Sequence, residues 1–441
     1  MPDVPNASAP VAHRLDHMPV GILHCLAVGL CALGFAFDIF EITLSTTLAA
    51  VFSAAPHATD PASLARLLSA VYVGAVVGAP LLGWMADRIG RRHTLMGALL
   101  FVAVTSLGAA TSRDVDQLAV WRLLSGLALG GYPPLMFTYL ADLLPARRRG
   151  LFLLVTVAIG SLGPVAGTFF IRALVPLEPL GLAAWRWGFI AGAAGCAAAG
   201  LLFAWLPESP RWLEARGRLP EAWANLARLA HGRAVLPACP PLAAPAPSAA
   251  PGVGIARNWL MVSTLFFLSA WTTVAFPILT GAILSRKGFA LTDTLLYVAL
   301  GALGPTLATL AAAVGVDRIG RRTALALSTG GAGILGLVFV TSESPLLLVA
   351  SNLGFMVCAA LTASVLNLYA SEVFPTARRA GAVASAWALN RIGAAGAPLL
   401  LLPLMAQGGP LAMYAVIAGA VVAGLALLPG APPGRARCAV D

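Results

Sequence analysis

Long apolar runs alternate with short, arginine-bearing polar links from residue 20 to residue 429. A run of about 20 apolar residues, as an α-helix, rises far enough to cross roughly 30 Å of hydrocarbon. The pattern predicts spans near 20–52, 66–86, 94–111, 117–141, 151–175, 186–206, 258–284, 294–314, 323–341, 346–369, 382–405 and 410–429. Helix is the expected element throughout, because backbone groups in lipid must be satisfied within their own segment. Twelve spans put both termini on one side of the membrane.

The charged links decide which side. With the N-terminus inside, the inner segments hold 20 of the Lys and Arg residues. The outer segments hold 6, namely Arg66, Arg113, Arg172, Arg186, Arg286 and Lys287, while Arg122 and Arg391 fall within spans. The positive-inside rule then predicts cytoplasmic termini in a bacterial inner (plasma) membrane. The longest link, about 207–257, separates a first six-helix unit (1–206) from a second (258–441). Its first part, Ser209 to Gly232, fits one or two short amphipathic helices. Its second part, Leu236 to Gly254, is Pro/Ala-rich and reads as a flexible linker.

Composition agrees with this pattern. The chain has 441 residues, 59% hydrophobic and only 10% charged, too little charge to cover a soluble surface of this size. Its net charge of +10 is spread in short clusters between apolar runs, so no nucleic-acid partner is expected. The cysteines form no CxxC or Cys/His spacing, and neither a metal nor a disulfide framework is expected. Residues 1–19 lack the apolar core and small-residue cleavage site of a signal peptide.

Asp87-Arg88-Ile89-Gly90-Arg91-Arg92 recurs 230 residues later as Asp317-Arg318-Ile319-Gly320-Arg321-Arg322. At the same offset, Tyr139, Asp142, Pro145, Arg148 and Arg149 match Tyr369, Glu372, Pro375, Arg378 and Arg379. Two motifs at one offset imply duplicated halves in parallel orientation. Gly90 suits a tight turn, and Asp87 is expected near the start of the next helix, whose dipole favours an anion.

These residues resemble a known family. Gly83-Trp-Met-Ala-Asp87-Arg88-Ile-Gly90-Arg91-Arg92 resembles the signature loop of the major facilitator superfamily. Arg122 to Gly131 and Asp142 to Gly150 resemble its fourth span and the following loop. Pro207-Glu208-Ser209-Pro210-Arg211 is similar to the motif after span six in the sugar-porter and aromatic acid:proton symporter branches, which Glu372-Val-Phe374-Pro375-Thr376 and Arg391-Ile-Gly393 also fit. The resemblance implies an all-α membrane fold of two pseudo-symmetric six-helix bundles around a central cavity, working by alternating access. A cytoplasmic latch between the halves is expected from Asp87, Arg88, Gly90, Arg91 and Arg92 with Asp317, Arg318, Gly320, Arg321 and Arg322. Asp142 with Arg148 and Glu372 with Arg378 are its accessory pairs. The alternative reading of these arginines is topology alone.

Ionisable residues inside spans are costly and are functional candidates. Asp38 and Glu41 in the first span share a helical face, and two carboxylates in low dielectric cannot readily both ionise, so one is expected to load and release a proton. Asp38-Ile-Phe-Glu41 is similar to the Asp-Gly-x-Asp pattern of the aromatic-acid symporters. Arg122 in span four is the expected partner of both, either as the counter-charge released on protonation or as a purely structural ion pair. Arg391, about ten residues into span eleven, either meets a substrate carboxylate or braces helix packing. Asn367, Trp271, Tyr139 and Tyr72 are further candidates for the cavity wall.

The leading expectation is a monomeric secondary transporter, with the proton gradient as its energy source and no cofactor, carrying a small organic anion such as an aromatic carboxylate by symport. Sugar uptake is weaker, because the last span ends Leu428-Pro429-Gly430 instead of the Pro-Glu-Thr-x-Gly of sugar porters. Proton-antiport efflux is the rival, on the partial motif Gly163-Pro164-Val-Ala-Gly167 in span five. No intramembrane His/Asp/Cys constellation supports an enzyme, and no appended domain supports a sensor.

Overall fold

The computed structural model describes residues 11–53, 57–230, 255–315, 320–374 and 379–432. Among these the structure is helical, without strands. Spans 1, 2 and 3 are the helices Ile22–Val51, Pro61–Ile89 and Arg91–Ala110. Span 4 is broken into Val115–Leu129 and Tyr132–Leu143, and span 5 into Arg149–Gly160 and Gly163–Leu174; span 6 is Ala184–Leu202. In the second half, span 7 runs Ile255–Ala270, a π-turn Trp271–Ala275, and Phe276–Arg286. Span 8 is Leu291–Gly301 with Gly304–Gly315, span 9 Arg321–Thr341 and span 10 Pro345–Val373. Spans 11 and 12 form one continuous stretch, Arg379–Leu427, broken at Gly409, whose φ is 75°.

Local chemistry fixes several boundaries. Span 2 starts earlier than hydropathy alone suggests, because Asp60 caps it by accepting from Ser63 N at 2.8 Å and Pro61 occupies its first turn. Asp114 caps span 4 through Gln117 N at 2.7 Å. The Pro133-Pro134 pair sits in the first turn of the second part of span 4, where missing N–H groups cost nothing. Spans 2 and 4 pack backbone to backbone: a Cβ at Gly74 or Gly78 would collide with the carbonyls of Leu123 and Leu127, and one at Gly126 with that of Val71.

The link after span 6 forms two short helices, Pro210–Ala215 and Leu219–Leu229; the Pro/Ala-rich stretch from Leu236 to Gly254 lies outside the described residues. A short N-terminal helix, Val11–His17, docks on them, with Val11 N donating to Glu214 Oε1 at 2.8 Å and Asp16 bridging Arg149 and Arg211. The two halves meet along span 2 with the stretch holding spans 11 and 12, span 5 with span 8, and span 1 with span 7.

Candidate functional site

A cavity of about 360 Å³ lies between the halves. Span 1 contributes Ile39, Ile42, Thr43 and Thr46, and span 2 contributes Tyr72. Span 7 adds Phe266, Ser269 and Thr273, span 10 adds Ala363 and Asn367, and span 11 adds Trp387, Asn390 and Arg391. At the end away from the arginine-rich loops the halves are tied together. Thr46 donates to Pro277 O at 3.2 Å, Ser285 to Ala50 O at 3.1 Å, and Arg172 to Thr292 O at 3.0 Å. Asn367, towards the arginine-rich end of span 10, is exposed while lining the cavity, so the cavity opens towards those loops.

Arg391 is the charged side chain of the wall. Its guanidinium carbon lies 4.3 Å from the centre of the Trp387 ring, a cation–π contact that leaves the edge of the guanidinium free, and its Nε has no hydrogen-bond partner. Asn390 beside it donates to Phe266 O and Ser269 Oγ, both at 3.1 Å, and so pins span 11 to span 7. Arg391 thus belongs to the cavity wall.

The two carboxylates of span 1 have different surroundings. Glu41 is fully buried; it accepts from Ser106 Oγ at 2.6 Å and lies 3.5 Å from Arg122 Nη1. Arg122 Nη2 donates to Ser45 Oγ at 2.8 Å, and its guanidinium stands 5.6 Å from the Phe189 ring centre. Spans 1, 3, 4 and 6 enclose this group, all within the first half, and Gly192 leaves just enough room for the Glu41 carboxylate. Asp38 is also buried, but neither of its oxygens has a hydrogen-bond partner. Among the described residues, no ion pair within 4 Å joins Asp38 to Arg122 or to Arg391. Arg122, expected to partner both carboxylates, therefore meets Glu41 alone. Ser45 and Ser106 had no sequence signal, since a lone serine in an apolar run announces no partner.

Two aromatic candidates lie elsewhere. Tyr139 is fully buried at the arginine-rich end of span 4 and donates to Pro207 O at 2.6 Å. Its repeat counterpart Tyr369 donates to Pro432 O at 2.8 Å, so each tyrosine clamps the chain leaving its own half. Trp271 is half-buried at the π-turn, edge-on to Phe267 with ring centres 6.4 Å apart, and is not among the cavity-lining residues. Tyr72 and Asn367 do line the cavity.

The arginine-rich loop is organised within the first half. Asp87 lies in the last turn of span 2, not at the start of span 3. The anion at the start of span 3 is Glu208, whose Oε1 accepts from the backbone N–H groups of Arg91, Arg92 and Ser209 at 2.9, 3.0 and 2.9 Å. Gly90 turns the chain there with φ 105°, and a Cβ on it would strike the Glu208 carboxylate. Arg91 lies 3.6 Å from Asp87 and 3.4 Å from Asp142, which also accepts from Ser209 Oγ at 2.8 Å. Arg148, the expected partner of Asp142, is exposed. Arg92 donates to Leu206 O at 2.9 Å, and Arg88 stacks on Trp84 at 4.2 Å. In the second half Arg321 pairs with Glu372 at 2.9 Å; Gly320 and half-buried Arg322 open span 9. Asp317, Arg318 and Arg378 lie outside the described residues. Among the described residues, the ion pairs of Arg91 with Asp87 and Asp142 and of Arg321 with Glu372 join spans of one half. Gly163 and Gly167 press on the Ala36 carbonyl and the Phe40 ring, so these glycines of the partial antiporter motif serve close packing of span 5 on span 1.

Ten long apolar candidate spans, of which Ser385–Gly430 holds two, together with the broken span 4 make twelve membrane helices in two bundles. With the cavity between them closed at one end, they have the architecture of a membrane transporter of the major facilitator fold. The sugar (and other) transporter family profile matches residues 24–428, and the chain belongs to that family. It is 29% identical over 410 residues to the gallate transporter of Pseudomonas putida, covering 88% of each chain. It is 24% identical over 407 residues to the niacin transporter NiaP of Acinetobacter baylyi (strain ATCC 33305 / BD413 / ADP1), covering 89% of this chain and 90% of that one. Among solved structures it is similar to the D-xylose-proton symporter, with TM-score 0.73, 22% identity, and coverage of 94% of this chain and 99% of that one.

Proposed function

We propose that the chain imports small aromatic carboxylates with protons across a bacterial inner membrane, as a monomer with cytoplasmic termini. The observation that carries this reading is Arg391, a cation stacked on Trp387 in the wall of a largely apolar cavity that Phe266 and Tyr72 also line. A planar aromatic acid suits both parts, its carboxylate on the guanidinium and its ring among the aromatic groups. Gallate and niacin, named for two relatives, are acids of this kind.

Asp38 is the proton site in this reading. In this reading Asp38, a buried carboxylate whose oxygens have no hydrogen-bond partner, competes with the substrate carboxylate for Arg391 of the cavity wall. A proton on the Asp38 carboxylate removes that competitor and frees Arg391 for the substrate carboxylate. Loss of the proton on the cytoplasmic side restores the competition and expels the substrate. The positive-inside rule places the arginine-rich loops in the cytoplasm, which makes the observed cavity inward-facing. Counterflow in proteoliposomes loaded with aromatic acids or sugars tests the reading. Acceleration by gallate or nicotinate, with accumulation driven by an inward pH gradient, is expected; selective acceleration by sugars sinks it.

A further inference from the structure

Gly34, Asp38, Glu41 and Ser45 fall at i, i+4, i+7 and i+11 and so share one face of span 1. Span 4 runs antiparallel along that face. Arg122 meets Glu41 and Ser45 towards one end, and Tyr132, ten residues on and about 15 Å along a helix, meets Gly34 towards the other. A Cβ on Gly34 would strike the Tyr132 hydroxyl, so the glycine is what leaves that oxygen its place. Asp38 lies one turn on from Gly34. Helical side chains lean back over the turn before them, which directs its carboxyl group towards Tyr132.

Both groups are buried, and among the described residues Tyr132 Oη, like the two Asp38 oxygens, has no hydrogen-bond partner. Polar groups left unmade in a packed interior are costly, and two that face each other can relieve that cost in another protonation state. A hydroxyl suits a carboxyl group that titrates, since it donates to the ionised form and accepts from the protonated one. Among the described residues, Arg122 is the cation on this face, and Glu41 and Ser45 hold it. The remaining titratable groups around the face are two buried thiols, Cys31 of span 1 and Cys196 of span 6, the latter one turn from the Gly192 that meets Glu41; Tyr72 and Arg391 stand on the cavity wall. Tyr132 is held in place by its neighbours. Pro133 and Pro134 fix the first turn behind it, and Gly130 and Gly131 are wedged against Ala75 and Leu82.

We propose that Tyr132 is a positioning residue for the proton on Asp38, its hydroxyl donating to the carboxylate once the proton has left. This rests on Asp38 as the proton site and stands whichever solute is carried. The test follows the pH dependence of counterflow in wild type, Y132F, D38N and the D38N/Y132F double variant, using whichever solute accelerates exchange in wild type. Y132F removes a single unpartnered oxygen, so its melting temperature in detergent should match that of wild type. Without the donor the carboxylate holds its proton more tightly, and the midpoint of the pH dependence should rise by about one unit or more. D38N should be insensitive to pH, and Y132F should add nothing in that background. Gly34→Ala puts a methyl group where the hydroxyl stands and should raise the midpoint as well, which serves as the second measure should Y132F fold poorly. An unchanged midpoint in Y132F at wild-type stability overturns the proposal and leaves the Asp38 reading standing. A shift that persists in the double variant also overturns it, because the hydroxyl then acts on another group. Wild-type pH dependence in D38N alone overturns the Asp38 reading and this inference with it.

Discussion

Arg91 lies 3.4 Å from Asp142 in the first half, and 230 residues later Arg321 lies 2.9 Å from Glu372 in the second. Each pair ties the start of a span that follows the repeated loop (3 or 9) to the end of the span two places before a bundle's close (4 or 10). The tyrosine clamps Tyr139 to Pro207 and Tyr369 to Pro432 repeat the same logic. Both halves are therefore cross-tied at the arginine-rich end by their own residues, which suits rigid-body movement of one against the other. The halves differ at the turn itself, where Gly90 has φ 105° and Gly320 sits in an ordinary extended conformation.

Glu208 should be the most damaging single removal in that cluster. Its carboxylate satisfies three otherwise orphaned N–H groups and a contact to His93 at 3.1 Å. Glu208→Ala is expected to cost about 1–3 kcal/mol, by the ordinary penalty for a buried donor left unmade. Thermal unfolding in detergent checks it, with Glu208→Gln expected to lose less because one acceptor oxygen remains. Equal melting temperatures for wild type and Glu208→Ala count against the cap.

Asp38 and Glu41 should separate coupling from folding. Asp38→Asn keeps the shape and removes the titratable group, so proton-driven accumulation should vanish while counterflow exchange persists. Uptake under an imposed pH gradient, compared with exchange in the same vesicles, measures both. Undiminished accumulation by Asp38→Asn removes Asp38 from the coupling step.

The architecture was legible because it rests on composition and repetition. Runs long enough to cross a bilayer, a 230-residue offset and a charge bias in the links need no three-dimensional information. Contacts between distant segments were not. Asp87 has the sequence position of a helix-start anion, yet Glu208, more than a hundred residues away, fills that role. Tyr139 resembles a cavity tyrosine until its hydroxyl is seen on Pro207 O. Asp38 and Glu41 share a helical face, and only the surrounding spans give one a full set of partners and the other none. Arg391 reads from sequence as a brace or a ligand group, and only the packing of span 11 puts it on the cavity wall.

Arg391 should set the affinity for the carboxylate. Arg391→Lys keeps a charge but loses the planar fork and the stacking on Trp387, and Arg391→Ala loses both. Losing a charge-assisted contact of about 1.5–3 kcal/mol corresponds to roughly a 10- to 150-fold rise in the half-saturating concentration for Arg391→Ala. A smaller rise is expected for Arg391→Lys. Concentration-dependent counterflow measures both, and an unchanged half-saturation for Arg391→Ala removes the residue from the binding site.

Glu41 and Arg122 should behave as a structural pair. Both are sealed within the first half, so their contact can persist while the halves move. Removing one partner leaves an uncompensated buried charge, and Glu41→Gln is expected to cost about 3–5 kcal/mol, seen as a lower melting temperature and lower yield. Replacing both, as in Glu41→Gln with Arg122→Met, removes the stranded charge and should recover much of that loss. Accumulation measured on the folded fraction of the double variant then completes the argument. Retained proton-driven uptake identifies the pair as a brace, whereas lost uptake at restored stability returns Glu41 to the coupling machinery beside Asp38.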